Sequence, residues 1–255
     1  MANSFKNISE ARPTAAPRLW SEEALAAGAT IDLSQGAMRH VAALRLHDGD
    51  TVTLFDGTGG EWSAELLCVG RDRASVKLKT WCEIERESPL MITLALGISS
   101  GDRMDFAIQK ATELGVNVVQ PLATTRSVVR LSAERTERRL AHWRGVTIAS
   151  CEQCGRNRLP TIKPVSGLLE FVASQPSGLR ILLSPEGDSS LKDIAPAKDL
   201  TILIGAEGGL TGQERDDALR NGFVAMRFGP RVLRTETAPL AALAAIQATW
   251  GDCSG

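Results

Sequence analysis

Residues 201–242 read TILIGAEGGLTGQERDDALRNGFVAMRFGPRVLRTETAPLAA, and their pattern decides the fold. The apolar run Thr201–Ile204 suits a buried strand and empties into a loop holding Gly205, Gly208 and Gly209. Thr211 stands three residues before Glu214, the spacing of a capping box, so a helix starts there and runs to Arg220. A second strand-like run, Phe223–Phe228, empties into Gly229-Pro230, and the Ala/Leu-rich run Pro239–Trp250 reads as a further helix. Because glycine lacks the Cβ that would block approach, two such turns can bring backbone N–H and C=O groups to one small ligand.

Upstream the same alternation continues: strand Met91–Leu96, helix Asp102–Leu114, strand Val116–Pro121, a helix from Ala133 to about residue 153, helix Val165–Ala173 and strand Leu179–Leu183. Alternation of this length predicts an α/β domain with a mostly parallel sheet over residues 90–255. Residues 83–89, EIERESP, are charged and end in proline, which marks a linker. Residues 18–82 instead carry short strand-like runs at 30–33, 51–55, 62–67 and 75–79, separated by turns such as Asp48-Gly49-Asp50, with a short helix near 36–44. That spacing predicts a small β-barrel. Residues 1–17, rich in Ala, Ser, Asn and Pro, read as a flexible extension.

A chain of 255 residues with 43% apolar content can bury a sizeable core. The formal charge of −1 neither requires nor excludes a polyanionic partner, because a patch can hide inside a neutral total. Such a patch lies between Gln120 and Lys163, where nine basic residues face three acidic ones. Arg135, Arg138 and Arg139 fit a solvated helix face with Glu/Arg pairs. Arg126, Arg130, Arg156 and Arg158 fall at element edges, where guanidinium groups can meet phosphate. The five cysteines are an odd number in a chain too large to need staples, which points to a reducing cytoplasm. Cys151-Glu-Gln-Cys154 has no second ligand pair at zinc-finger spacing, and His40 and His47 fit hydrogen-bonded structural roles, so no metal is expected. No apolar run reaches the roughly 20 residues of a membrane span.

Nucleotide templates fail at the glycine loop. It lacks the lysine of a P-loop, its glycines are misspaced for a dinucleotide fold, and Glu207 would repel phosphate. A carboxylate among glycines better suits a ligand bearing positive charge and an adenine, which makes S-adenosylmethionine a candidate. A structural glutamate serving the Thr211 helix would look similar in sequence.

Five segments then combine: Gln109-Lys-Ala-Thr-Glu-Leu-Gly-Val116; Thr125-Arg-Ser127; Glu152-Gln-Cys-Gly-Arg156 with Leu159-Pro160; Ile204-Gly-Ala-Glu-Gly-Gly-Leu210 with Glu214; and Phe228-Gly-Pro-Arg-Val-Leu-Arg-Thr-Glu-Thr-Ala238. In this order they resemble the RsmE-type ribosomal RNA methyltransferases of the SPOUT class, which methylate the imide nitrogen of a small-subunit rRNA uridine. The barrel resembles that family's PUA-like RNA-binding domain through residues 40–50, HVAALRLHDGD. Ala206 stands where the family usually has proline, and the extension before Arg18 is longer than the family needs.

The resemblance implies a trefoil-knotted catalytic domain, a homodimer, and a cofactor pocket built by Leu183, Ser184, Ile204, Gly205, Glu207, Gly208, Gly209, Phe228, Gly229, Val232, Leu233, Arg234 and Glu236. A cation would stabilise the developing uracil imidate, for which Arg234 and Arg156 are candidates, and Glu236 could accept the proton or meet the cofactor ammonium. RNA would be held by Arg18, Arg39, Arg45, Arg126, Arg130 and Arg156, with small-subunit rRNA or the 30S particle as partner. The alternatives are a non-catalytic RNA-binding assembly factor, with glycine turns that are only structural, or a SPOUT enzyme acting on another RNA.

Overall fold

The computed structural model describes residues 16–127, 133–174 and 178–253. The chain divides into two compact units, Met1–Ile84 and Glu85–Gly255.

In the first unit, β1 (Arg18–Trp20), β2 (Thr30–Asp32), α1 (Gln35–Ala43), β3 (Thr51–Phe55), β4 (Glu61–Val69) and β5 (Ala74–Cys82) form a sheet of order β1-β3-β4-β5-β2. Only β1 with β3 is parallel; the other pairs are antiparallel. Register shifts in β4 at Trp62/Ala64 and Leu66/Cys68 bend the long β4–β5 ribbon, as bulges do. Leu19, Val52, Leu54, Leu66, Val76 and Leu78 thereby converge on Ala37 and Val41 of α1 in one buried cluster. Ser34 starts α1 by accepting the Ala37 N–H at 3.2 Å.

The second unit contains β6 (Met91–Gly97), α2 (Gly101–Glu113), β7 (Val118–Ala123), α3 (Ala133–Cys154), β8 (Thr161–Ile162), β9 (Ser166–Gly167), α4 (Leu168–Ala173), β10 (Leu179–Leu183), β11 (Asp199–Ile204), α5 (Gly212–Arg220), β12 (Val224–Met226) and α6 (Thr237–Trp250). Its sheet runs β12-β10-β11-β6-β7-β8, with β9 also on β7, and every strand pair in it is parallel. Strands buried on both faces need continuous apolar runs, and β6 and β11 supply them: Ile92, Leu94, Leu96, Leu200, Ile202 and Ile204 enter one core with Met104, Ile108 and Trp143. Ala95, Leu182 and Leu203 point to the opposite face, against Leu168, Phe171 and Ala218.

The run Phe223–Phe228, expected as one strand, is a strand only over Val224–Met226. Its partner β10 ends at Leu183, opposite Met226, so Arg227 and Phe228 have no ladder to extend and turn away. The two-residue strands β8 and β9 are too short to leave a periodic signal.

Candidate active site

A cleft of about 570 Å³ opens beyond the carboxyl ends of β10, β11 and β12. Ligands of open parallel sheets bind at such strand ends, because the loops there can diverge without breaking the ladder. β10 delivers Leu183 and Ser184, β11 delivers Ile204 and residues 205–209, and the chain beyond β12 supplies Phe228, Val232, Leu233, Arg234 and Glu236. Gly229 does not line the cleft; its φ of +70° makes the turn that swings the following residues back.

Close backbone approach explains several glycines. A Cβ on Gly205 would stand 2.8 Å from the Gly209 carbonyl carbon, and one on Gly97, at the end of β6, would stand 2.3 Å from the Ala206 nitrogen. The Thr235 hydroxyl donates to the Gly205 carbonyl at 2.8 Å, tying the segment after β12 to the loop after β11.

Six charged residues line the cleft: Arg227, Arg231 and Arg234 are exposed, while Arg103, Glu207 and Glu236 lie close to one another. Glu207 accepts the Ser100 N–H at 2.8 Å and stands 3.5 Å from the Arg103 guanidinium, whose Nε lies 4.0 Å from Glu236. Burial pushes the Glu207 carboxyl up, but the Ser100 N–H, its own N–H and the Arg103 charge pull it down further, so it ionises below its usual value. In both Glu207 and Glu236 the Oε2 atom is buried without a hydrogen-bond partner. Glu236 stands at the N-cap of α6 yet makes no side-chain capping bond, so its carboxylate is not committed to the helix. Nothing in the sequence pattern singles out Arg103 except its position at the start of the helix after β6, near another strand end.

Glu214, in contrast, is structural. It accepts the backbone N–H of Thr125 at 2.7 Å and that of Thr211 at 2.8 Å, closing the expected capping box and fastening the 124–127 turn to α5.

Two expected roles are corrected. Arg156 is only 4% exposed and does not line the cleft. Its guanidinium donates to Glu87, and to the carbonyls of Thr112 and Val116 at 2.8 Å each, so these donors serve the fold rather than the cleft. Arg18 is likewise withdrawn: it pairs with Glu61 and lies over the Phe55 ring, 4.7 Å from the centroid. Arg39 and Arg45 are exposed, and Arg45 holds a φ of +55°. Arg126 is exposed but donates to the carbonyls of Gly208 and Leu210 at 3.0 and 3.1 Å, so it braces the glycine loop. Arg130 lies outside the described residues. Arg234 is exposed at the cleft and makes no ion pair among the described residues. In the basic stretch, Arg138 pairs with Glu134 one turn away, and Arg158 stands 3.5 Å from Glu85.

Among the described residues no cluster of His, Cys, Asp and Glu could hold a metal, and no helix is long and apolar enough to cross a membrane.

The family model of an RNA methyltransferase domain matches residues 86–247, and that of an RNA methyltransferase PUA domain matches residues 38–79. The chain belongs to the ribosomal RNA small subunit methyltransferase E family. A member from Buchnera aphidicola of Schizaphis graminum is 31% identical over 241 residues, covering 93% of this chain and 98% of that protein. The Neisseria gonorrhoeae family member, solved with S-adenosyl methionine bound, superposes with a TM-score of 0.87 at 42% identity, covering 93% of this chain and 99% of the other. A Legionella pneumophila methyltransferase, solved with SAM bound, gives a TM-score of 0.89 at 36% identity, with the same two coverages. The architecture is accordingly the SPOUT type behind a PUA-like domain.

Proposed function

We propose that this chain transfers a methyl group from S-adenosylmethionine to N3 of a uridine in 16S rRNA, in the cytoplasm, as a homodimer with a trefoil-knotted catalytic domain. The observation that carries this reading is the cleft itself: apolar walls from Leu183, Ile204, Phe228 and Leu233 beside a bare glycine loop and two carboxylates, each with a partnerless buried oxygen. The apolar walls and loop amides suit adenine, the free carboxylate oxygens suit cationic groups, and the volume lies within the ~300–1,000 Å³ of small-molecule sites. When bound, the cofactor supplies an electrophilic methyl group on a positively charged sulfur.

The protein's own contribution is positioning and electrostatics. The glycine loop, held by Arg126 and Thr235, would hold the methyl donor, which would supply the electrophilic methyl group to the base. The uracil imide is a weak acid, so its nitrogen must shed a proton as it attacks. Arg234, exposed at the cleft, offers a cation to the developing negative charge on the uracil oxygens. Exposed Arg39 and Arg45 on the first unit supply phosphate contacts. The close approaches of residues 205–210, and that of Gly187 to Met226, where a Cβ would stand 2.7 Å from the carbonyl carbon, support a tightly threaded chain.

The test is calorimetric titration with S-adenosylmethionine, together with mass mapping of small-subunit rRNA from cells lacking the gene. One methylated uridine should disappear and return on re-expression. An unchanged rRNA, with no cofactor uptake, would leave the assembly-factor alternative standing.

A further inference from the structure

We infer that Glu207, Arg103 and Glu236 form a charge filter that retains the sulfonium form of the cofactor and releases its thioether product; the inference rests on the cofactor reading above. Two carboxylates around one guanidinium carry a formal charge of minus one, so the cluster favours a positive charge held directly against it, while Arg227, Arg231 and Arg234 line the same cleft exposed to the solvent that screens them. Arg103 stands 3.5 Å from Glu207 and 4.0 Å from Glu236, and leaves an Oε2 atom on each buried without a partner. An unmatched buried carboxylate oxygen is costly, and a sulfonium held beside it relieves that cost where a thioether sulfur does not, the ammonium being common to both ligands.

Charge bookkeeping across the reaction gives the filter its purpose. Methyl transfer breaks the S–CH3 bond with its electron pair staying on sulfur, forms the N3–CH3 bond from the nitrogen electron pair, and passes the N3 proton to solvent water, leaving the charge of the cluster unchanged. The ligand thus passes from a net single positive charge, from sulfonium, ammonium and carboxylate, to neutrality. With the carboxylates held in place, the cluster binds the spent thioether less tightly than the fresh sulfonium. Arg103 is the positioning residue of this arrangement: it spaces the carboxylates and sets the cluster's net charge.

The experiment is calorimetry with S-adenosylmethionine, S-adenosylhomocysteine and sinefungin, an analogue whose ammonium replaces the sulfonium. Wild-type protein should prefer both cationic ligands to the thioether. Glu236→Gln should lower that preference about tenfold, the equivalent of about 1.4 kcal/mol, mainly by weakening the cationic ligands. Arg103→Gln, which removes the counter-charge and keeps both carboxylates, should raise the preference instead, while Arg103→Lys should keep it at the wild-type value. A merely structural role would not give opposite signs within one cluster. Equal wild-type affinity for the three ligands, or the same direction of change in Glu236→Gln and Arg103→Gln, would overturn the charge filter alone. Wild-type protein that binds none of the three would overturn the cofactor reading and the filter with it.

Discussion

The guanidinium of Arg126 donates to the Gly208 carbonyl at 3.0 Å, although the two residues lie far apart in the chain. An arginine expected to touch only RNA therefore braces the loop that lines the cleft. Arg126→Ala should weaken S-adenosylmethionine binding about fivefold, less than a buried charged hydrogen bond would give, because the side chain is exposed. Calorimetry checks this. Unchanged cofactor affinity with weakened RNA binding would restore the purely RNA-facing role.

Gly97→Ala addresses the other side of the same loop. The new Cβ would meet the Ala206 backbone nitrogen at 2.3 Å, and neither the end of β6 nor the loop can yield without disturbing the ladder with β11. A loss of about 3 kcal/mol is expected in urea denaturation followed by tryptophan fluorescence. Gly101→Ala is the control: a Cβ there meets nothing within 4 Å, and stability should be unchanged or slightly higher.

Arg156→Ala should damage folding rather than chemistry. Removing the guanidinium strands Glu87, whose side chain is only 15% exposed, and orphans the carbonyls of Thr112 and Val116. The expected cost is about 3–5 kcal/mol. At a temperature where the variant is still folded, kcat should stay near wild type. A large fall in kcat with unchanged stability would return Arg156 to the catalytic site.

The strands and their glycine loops were legible because the signals are local: an apolar run, a missing Cβ, a cap three residues from its partner. The two glycine loops and Glu207 stand out for that reason, whereas Glu236 joins them only through the resemblance to the family. What was not legible depends on long-range partners. Arg156 and Arg158 are both arginines after the same helix, yet Arg156 is buried on Glu87 and Arg158 is exposed beside Glu85. Nothing within a few residues of either distinguishes them. Arg103 reads as one more charge on an amphipathic helix until the parallel pairing of β6 with β11 sets it beside Glu207. The partners of Arg18 are hidden likewise, since only the pairing of β1 with β3 brings it over Phe55.

Glu214 gives the pH-dependent prediction. Burial pushes its carboxyl up, but the N–H groups and hydroxyls of Thr125 and Thr211 favour the ionised form more strongly, so the folded protein ionises it below the ordinary value of 4.5. A carboxyl lowered by folding contributes stability that is fully present above its unfolded value and is lost as pH falls through the lower folded value. Glu214→Gln keeps an acceptor for one N–H but turns an amide donor toward another, and should cost about 2 kcal/mol at pH 7. The gap between wild type and variant should stay level from about pH 8 to pH 5, then narrow toward pH 3 as wild-type Glu214 takes up its proton and comes to resemble the amide. Urea titrations across that range measure it. A gap that stays constant down to pH 3 would mean that shape, rather than charge, makes Glu214 the fastening between the 124–127 turn and α5.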